Sequence, residues 1–266
     1  MPPSTAEPLS TTLIGDGGPL TVFLHGLFGQ GKNFTTIAKA LAPGRSSLLV
    51  DLPNHGGSAW TTDVDYEQMA AAVAAEIAAS GRGPAAVVGH SMGGKVAMVV
   101  ALRHPELVER LVVVDIAPVS TSGMSQFADL LGALGELDLG TLGSRSEADR
   151  LLRRRVPEDS VRGFLLQNLR HRDGRWVWRA NLDLLRSSLP RIGGFPSGLD
   201  AAPYDGPVLW IAGGDSQYIR DEHTEAMRAL FPRVRKVTIK GAGHWVHSEQ
   251  QAVFIEVLRR FLDGPS

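Results

Sequence analysis

An α/β fold is predicted here, with a mostly parallel central sheet, helices on both faces and an inserted helical cap. Three observations predict it. Short apolar runs rich in β-branched residues recur along the chain, longer amphipathic stretches separate them, and the alternation breaks once, between Pro118 and Pro207. The runs at 20–24, 47–50, 85–89, 111–115, 208–212 and 234–239 have the length of buried strands. The stretches at 33–41, 66–80, 92–103, 221–230 and 249–262 carry apolar residues at helical spacing. Strand then helix, repeated, gives parallel strands joined by crossover helices.

In the interrupted stretch, helical segments follow one another without a convincing strand. The expected division is therefore a core of residues 1–117 and 201–266 with a helical cap at 118–200. Between residues 145 and 191 the cap holds roughly a dozen arginines against about half as many acidic residues, including Arg153-Arg154-Arg155. Such a bias reads first as a solvated face.

A chain of 266 residues can bury one sizeable core, and 43% hydrophobic with 21% charged residues is ordinary for a globular protein. No apolar run has the ~20 residues of a membrane span. The cytoplasm is the default compartment, and residues 1–7 read as a frayed tail without the basic start or apolar stretch of a secretory signal. The absence of cysteine excludes a disulfide, a thiolate nucleophile and a Cys-ligated metal. A net charge of −1 provides no field to attract nucleic acid, and no nucleic-acid-binding motif is present. A small neutral or mildly polar substrate fits better; nothing in the sequence sets an oligomeric state.

The chemistry centres on Gly89-His90-Ser91-Met92-Gly93. A serine hydroxyl needs a base to take its proton and a turn that projects it toward a carbonyl. Gly-x-Ser-x-Gly between a strand and a helix resembles the nucleophile elbow of the α/β-hydrolases, and here the strand at 85–89 precedes it and a helix follows. Acyl transfer also needs N–H donors at the oxyanion. Met92, just after the nucleophile, is one expected donor; Leu27, in His25-Gly26-Leu27-Phe28-Gly29 after the first apolar run, is the other. His25 and His55 sit on turns after strands and read as loop anchors.

In this fold the chain order is nucleophile, acid, histidine. His244, in Gly241-Ala242-Gly243-His244-Trp245 after the last strand, is the expected base, and His247 belongs to the following helix. Two acids compete. Asp115 ends the strand that follows the nucleophile's βα unit; Asp215, in Gly213-Gly214-Asp215-Ser216, lies after the strand that more often carries the acid, but one residue short of the usual spacing. Asp115 is preferred and Asp215 is the alternative, with Ser216 near His244 as an auxiliary. The acid's task, holding the histidine tautomer and stabilising the imidazolium, depends on position. Phe28, Met92, Phe127, Trp176 and Trp178 are candidate pocket walls, although apolar residues need no further reason to be buried.

More narrowly, His25-Gly26-Leu27-Phe28-Gly29, Asp51-Leu52-Pro53-Asn54-His55-Gly56, the elbow through Lys95, and Val114-Asp115-Ile116-Ala117-Pro118 resemble the bacterial YbfF-type esterases. That resemblance implies Asp115 as the acid, Ser216 as its neighbour and small carboxylic esters as substrates, with acyl-coenzyme A thioesters as a second class; the aspartate at 215 departs from it. The expectation is a serine ester hydrolase needing neither metal nor organic cofactor. Thioester hydrolysis, cofactor-free perhydrolysis and C–C bond hydrolysis are alternatives at the same site. A small-molecule receptor on the same fold is the alternative of another class.

Overall fold

The computed structural model describes residues 8–121, 124–199 and 201–264, so the expected tail at 1–7 lies outside the described residues. Its main sheet has seven strands: β1 (Thr11–Ile14), β2 (Leu20–Leu24), β3 (Ser46–Val50), β4 (Ala85–His90), β5 (Val108–Val114), and two after the cap. Those two are β8 (Val208–Gly213) and β9 (Val234–Ile239), and a separate hairpin of β6 (Leu169–Arg172) and β7 (Arg175–Trp178) precedes them in the chain. Spatial order is β1-β3-β2-β4-β5-β8-β9. Only β1 runs antiparallel, pairing with β3 from Thr11 opposite Val50 to Ile14 opposite Ser47.

Alternation along the strands divides the core. Val22, Leu24, Val87, Leu111, Val113 and Trp210 face α2 (Tyr66–Ala79) and α3 (Met92–Arg103). Phe23, Ala86, Val88, Val112, Val114 and Ile211 face α1 (Thr35–Leu41) and, at the C-terminal end of the chain, two helices at Val246–Glu249 and Gln251–Leu262. Both faces are covered, which is why the strands read as continuous apolar runs. Asp65 starts α2 by accepting from the Glu67 and Gln68 N–H groups at 2.8 and 3.0 Å, a cap that contributes on the order of 1 kcal/mol.

Between β5 and β8 come α4 (Ser125–Gly135), α5 (Arg145–Leu152), α6 (Asp159–Leu166), the β6–β7 hairpin, α7 (Leu182–Ser187) and α8 (Leu189–Gly193). The hairpin corrects the purely helical reading of this stretch. Its strands meet at Asp173-Gly174, where φ is +49° and +77°, the left-handed pair that a tight two-residue hairpin requires. Within the cap the Arg162 guanidinium is only 1% exposed. It binds Asp149 at 2.9 Å, Asp159 at 2.5 Å and the Val156 and Pro157 carbonyls at 2.9 and 2.7 Å.

The carboxyl ends of β2, β4, β5, β8 and β9 lie along one edge of the sheet, where open parallel sheets place their ligands. The segments after these five ends hold Leu27, Ser91, Asp115, Ser216 and His244 respectively.

Candidate active site

Ser91 sits between β4 and α3 at φ +53° and ψ −121°. That conformation costs on the order of 1–3 kcal/mol and persists only where its surroundings enforce it. The Ser91 N–H binds the Val114 carbonyl at 3.0 Å, and its own carbonyl accepts from Gly94 and Lys95 at 2.8 and 3.1 Å. The two glycines of the motif are required by contact: a Cβ on Gly89 would lie 2.2 Å from the Gly93 oxygen, and one on Gly93 would lie 2.4 Å from the Leu24 oxygen.

The His244 imidazole joins the serine to a carboxylate. Its Nε2 is 2.9 Å from Ser91 Oγ, and its Nδ1 is 2.8 Å from Asp115 Oδ2. A carboxylate only accepts, so Nδ1 carries the proton and Nε2 faces the serine as an acceptor. Asp115 is fully buried, at φ +51°; its Oδ1 accepts from the Gly213 N–H at 2.9 Å and its Oδ2 also accepts from the Ser216 hydroxyl. Of the two acids weighed, Asp115 is therefore the one at the histidine. Asp215 is exposed, and the bond it makes is from its backbone N–H to the Ala242 carbonyl, 2.9 Å. Ending one residue short of the usual spacing, its side chain turns to solvent and Ser216 takes the inward place.

The loop expected to hold the oxyanion abuts Ser91: a Cβ on Gly26 would lie 3.0 Å from Ser91 Cβ. Leu27 and Met92 both line the cavity beside Ser91, and Met92 opens α3, where helix N–H groups have no partner within the helix.

Four further histidines are buried close by. His25 donates from Nδ1 to the Gly26 carbonyl at 2.8 Å and accepts at Nε2 from the Leu52 N–H at 3.0 Å, so both nitrogens are committed to loop anchoring. Burial pushes it down to about 4. Burial, reinforced by His25, takes His55 to about 3, and burial with His244 takes His247 to about 4. His90 is held well below the usual histidine value by burial and by His247 and His244; its Nε2 donates to the His244 carbonyl at 2.8 Å, steadying the base's backbone.

The cavity beside Ser91 is about 20 Å³, bounded by Leu27, Met92, Lys95, Ile116, Thr121, Met124, Phe127, Ile192 and Tyr218. Of the expected walls, Met92 and Phe127 are there. Phe28 is buried against Phe127, with ring centroids 6.3 Å apart, and Trp176 and Trp178 are half-buried on β7, Trp176 against the His171 ring. Alternation in the hairpin, not orientation toward Ser91, explains their burial. Sequence reasoning missed Tyr218, stacked on His244 at 4.1 Å, and Lys95, whose position one helical turn after Ser91 was the available signal. Lys95 is 1% exposed and burial lowers it to about 7. A depression of about 450 Å³ near Trp60 and Met69 is larger but includes none of Ser91, His244 and Asp115. Among the described residues no cluster of side chains is suited to hold a metal ion, and no helix is long and apolar enough to cross a membrane.

Fold and site together define a serine hydrolase. The chain belongs to the alpha/beta hydrolase fold family, whose model matches residues 19–251. It is 42% identical to a mouse protein named sn-1-specific diacylglycerol lipase ABHD11, over 96% of this chain and 85% of that one. It is 32% identical to Esterase YbfF of Escherichia coli K12, over 91% and 92% of the two chains. A solved structure described as a marine microorganism esterase superposes with a TM-score of 0.92 at 33% identity, covering 96% of this chain and 99% of the other. The protein is an enzyme of the esterase and lipase type.

Proposed function

We propose that the enzyme hydrolyses carboxylic esters of short to medium acyl chains through an acyl-enzyme on Ser91. His244 Nε2 takes the Ser91 proton as Oγ attacks the carbonyl, and returns it to the departing alcohol. Water, deprotonated by the same nitrogen, then releases the acid. Asp115 holds the Nδ1–H tautomer and balances the imidazolium that forms in each step. The Leu27 and Met92 N–H groups receive the oxyanion, and Ser216 fixes the Asp115 carboxylate. The observation that carries this reading is the unbroken pair of contacts, 2.9 Å from Ser91 to His244 and 2.8 Å from His244 to Asp115.

The mouse relative's name extends the candidate esters to acylglycerols. A second reading, hydrolysis of acyl-coenzyme A, is favoured by the basic seam between core and cap. There Lys32 is lowered by burial and by the charges of Arg179 and Arg145, a grouping of cations suited to phosphates. Turnover of 4-nitrophenyl esters tests the central reading: Ser91→Ala lowers kcat by at least about 10³-fold in a folded protein, and unchanged turnover would remove it. Acyl-coenzyme A turnover lost at high salt, with simple esters still cleaved, selects the second reading.

A further inference from the structure

The cavity at Ser91, about 20 Å³, has room for about one water molecule, whereas ligand sites ordinarily start near ~300 Å³. An acyl chain enters only if a wall gives way. Leu27, Met92 and Ile116 are fixed to strand ends and to α3, packed into the main core. Ile192 packs into the same core but is carried by a different kind of element. It belongs to α8, a five-residue cap helix, and the segment 192–194 is attached to the core by a few identifiable bonds.

Most of those bonds come from one side chain. Lys95 Nζ donates to the Gly193 and Gly194 carbonyls, each at 2.6 Å, and lies 3.4 Å from the Ile192 carbonyl and from Thr121 Oγ1. The Tyr66 hydroxyl donates to the Ile192 carbonyl at 2.7 Å, and the Thr121 N–H donates to the Gly193 carbonyl at 2.7 Å. An ammonium has three donors, and here they close the open carbonyl end of a helix, where a cation is favoured. Lys95 forms no ion pair among the described residues, so its bonding is directed at this segment of the cap. Gly194 is only half-buried, which lets its carbonyl turn to water when the segment moves.

We infer that Lys95 is a specificity-determining positioning residue: by pinning residues 192–194 across the cavity beside Ser91, it limits the length of acyl group that the nucleophile accepts. The inference rests on the ester-hydrolase reading above. Lys95 acts through Ile192, and Ser91 takes its hydrogen bond from neither Lys95 nor the cap but shares it with His244.

The test compares kcat/KM for 4-nitrophenyl acetate and 4-nitrophenyl octanoate in the intact enzyme and in Lys95→Met, which keeps the length of the side chain but removes its donors. The octanoate-to-acetate ratio rises about tenfold, mainly through KM, a size within what pocket shape ordinarily discriminates. Lys95→Arg, which keeps the donors, shifts the ratio less than Lys95→Met. An unchanged ratio in folded Lys95→Met, or an equal loss on both esters confined to kcat, overturns the inference. If Lys95→Met does not fold, Tyr66→Phe decides: losing the bond to the Ile192 carbonyl raises the same ratio, and no change there overturns the inference. Absence of any ester turnover in the unaltered enzyme would instead defeat the ester-hydrolase reading itself.

Discussion

The interior of the cap and the seam beneath it each bury a cation, and they treat it in opposite ways. Inside the cap, Arg162 meets the carboxylates of Asp149 and Asp159 as well as two carbonyls, and its pKa is raised, chiefly by the hydrogen bond to Asp149. At the seam, Lys95 meets carbonyls and a hydroxyl, and burial lowers it to about 7. A charge taken out of water is held more firmly where a counter-charge replaces hydration than where only carbonyls do. The carboxyl edge of the sheet repeats the division. His244 has Asp115 behind it, poised for the imidazolium that proton transfer creates, while its buried neighbours His25, His55, His90 and His247 are held neutral. Several imidazoles are thus packed around one reacting pair without competing for its proton.

Removing the counter-charge behind His244 is the sharpest way to break this comparison. Asp115→Asn leaves the imidazolium unbalanced and offers an amide that can stabilise the wrong tautomer, so kcat on 4-nitrophenyl acetate falls by about 10³- to 10⁴-fold. Asp215→Asn changes it by less than about twofold, since that side chain is exposed. The reverse ranking would place the acid on β8 and undo the assignment.

The neutral histidines make a prediction about acid. Each has a folded pKa below the ordinary 6.5, with His25 and His247 near 4 and His55 near 3. Between pH 6.5 and those values the unfolded chain binds more protons than the folded one, so stability is full above pH 6.5 and falls as pH drops toward 4. One such group accounts for roughly 3 kcal/mol of that slope. Urea midpoints measured from pH 7 to pH 4.5 should therefore decline steeply, and His247→Gln, removing one buried imidazole, should decline less. Parallel slopes in the two proteins would mean that His247 is not held neutral by the fold.

The carboxyl edge was more legible in the sequence than the cap, for a physical reason. β4 and the 111–114 stretch of β5 are buried on both faces, so they read as apolar runs, and the glycines around Ser91 are forced by contacts of 2.2–2.4 Å that no other residue tolerates. β1 escaped notice because it is an edge strand with its residues exposed or half-exposed, leaving no apolar pattern. The cap hairpin did carry a local signal, Asp173-Gly174, but arginines on both sides gave its strands the look of a solvated helix. Lys95 was visible only as a helical residue following the elbow; its partners lie about a hundred positions away and are backbone carbonyls, which carry no side-chain signature.

The smallest effects return to the two buried cations. Arg162→Met removes a charge whose partners stay behind: Asp149 loses its bound donor, and the Val156 and Pro157 carbonyls lose theirs inside the cap. Asp149 and the exposed Asp159 regain water, but the two carbonyls are left without their donor, and the unfolding midpoint should fall by about 5 °C. Lys95→Met removes a charge with no counter-ion among the described residues, so the lost hydrogen bonds are offset by the desolvation cost that disappears with the ammonium. Its midpoint should change by less than about 3 °C, even while the acyl-length preference shifts. Thermal unfolding of the two variants at pH 7 checks the contrast. Equal losses would mean that Lys95 is as firmly compensated as Arg162, and the seam would then be as fixed as the cap interior.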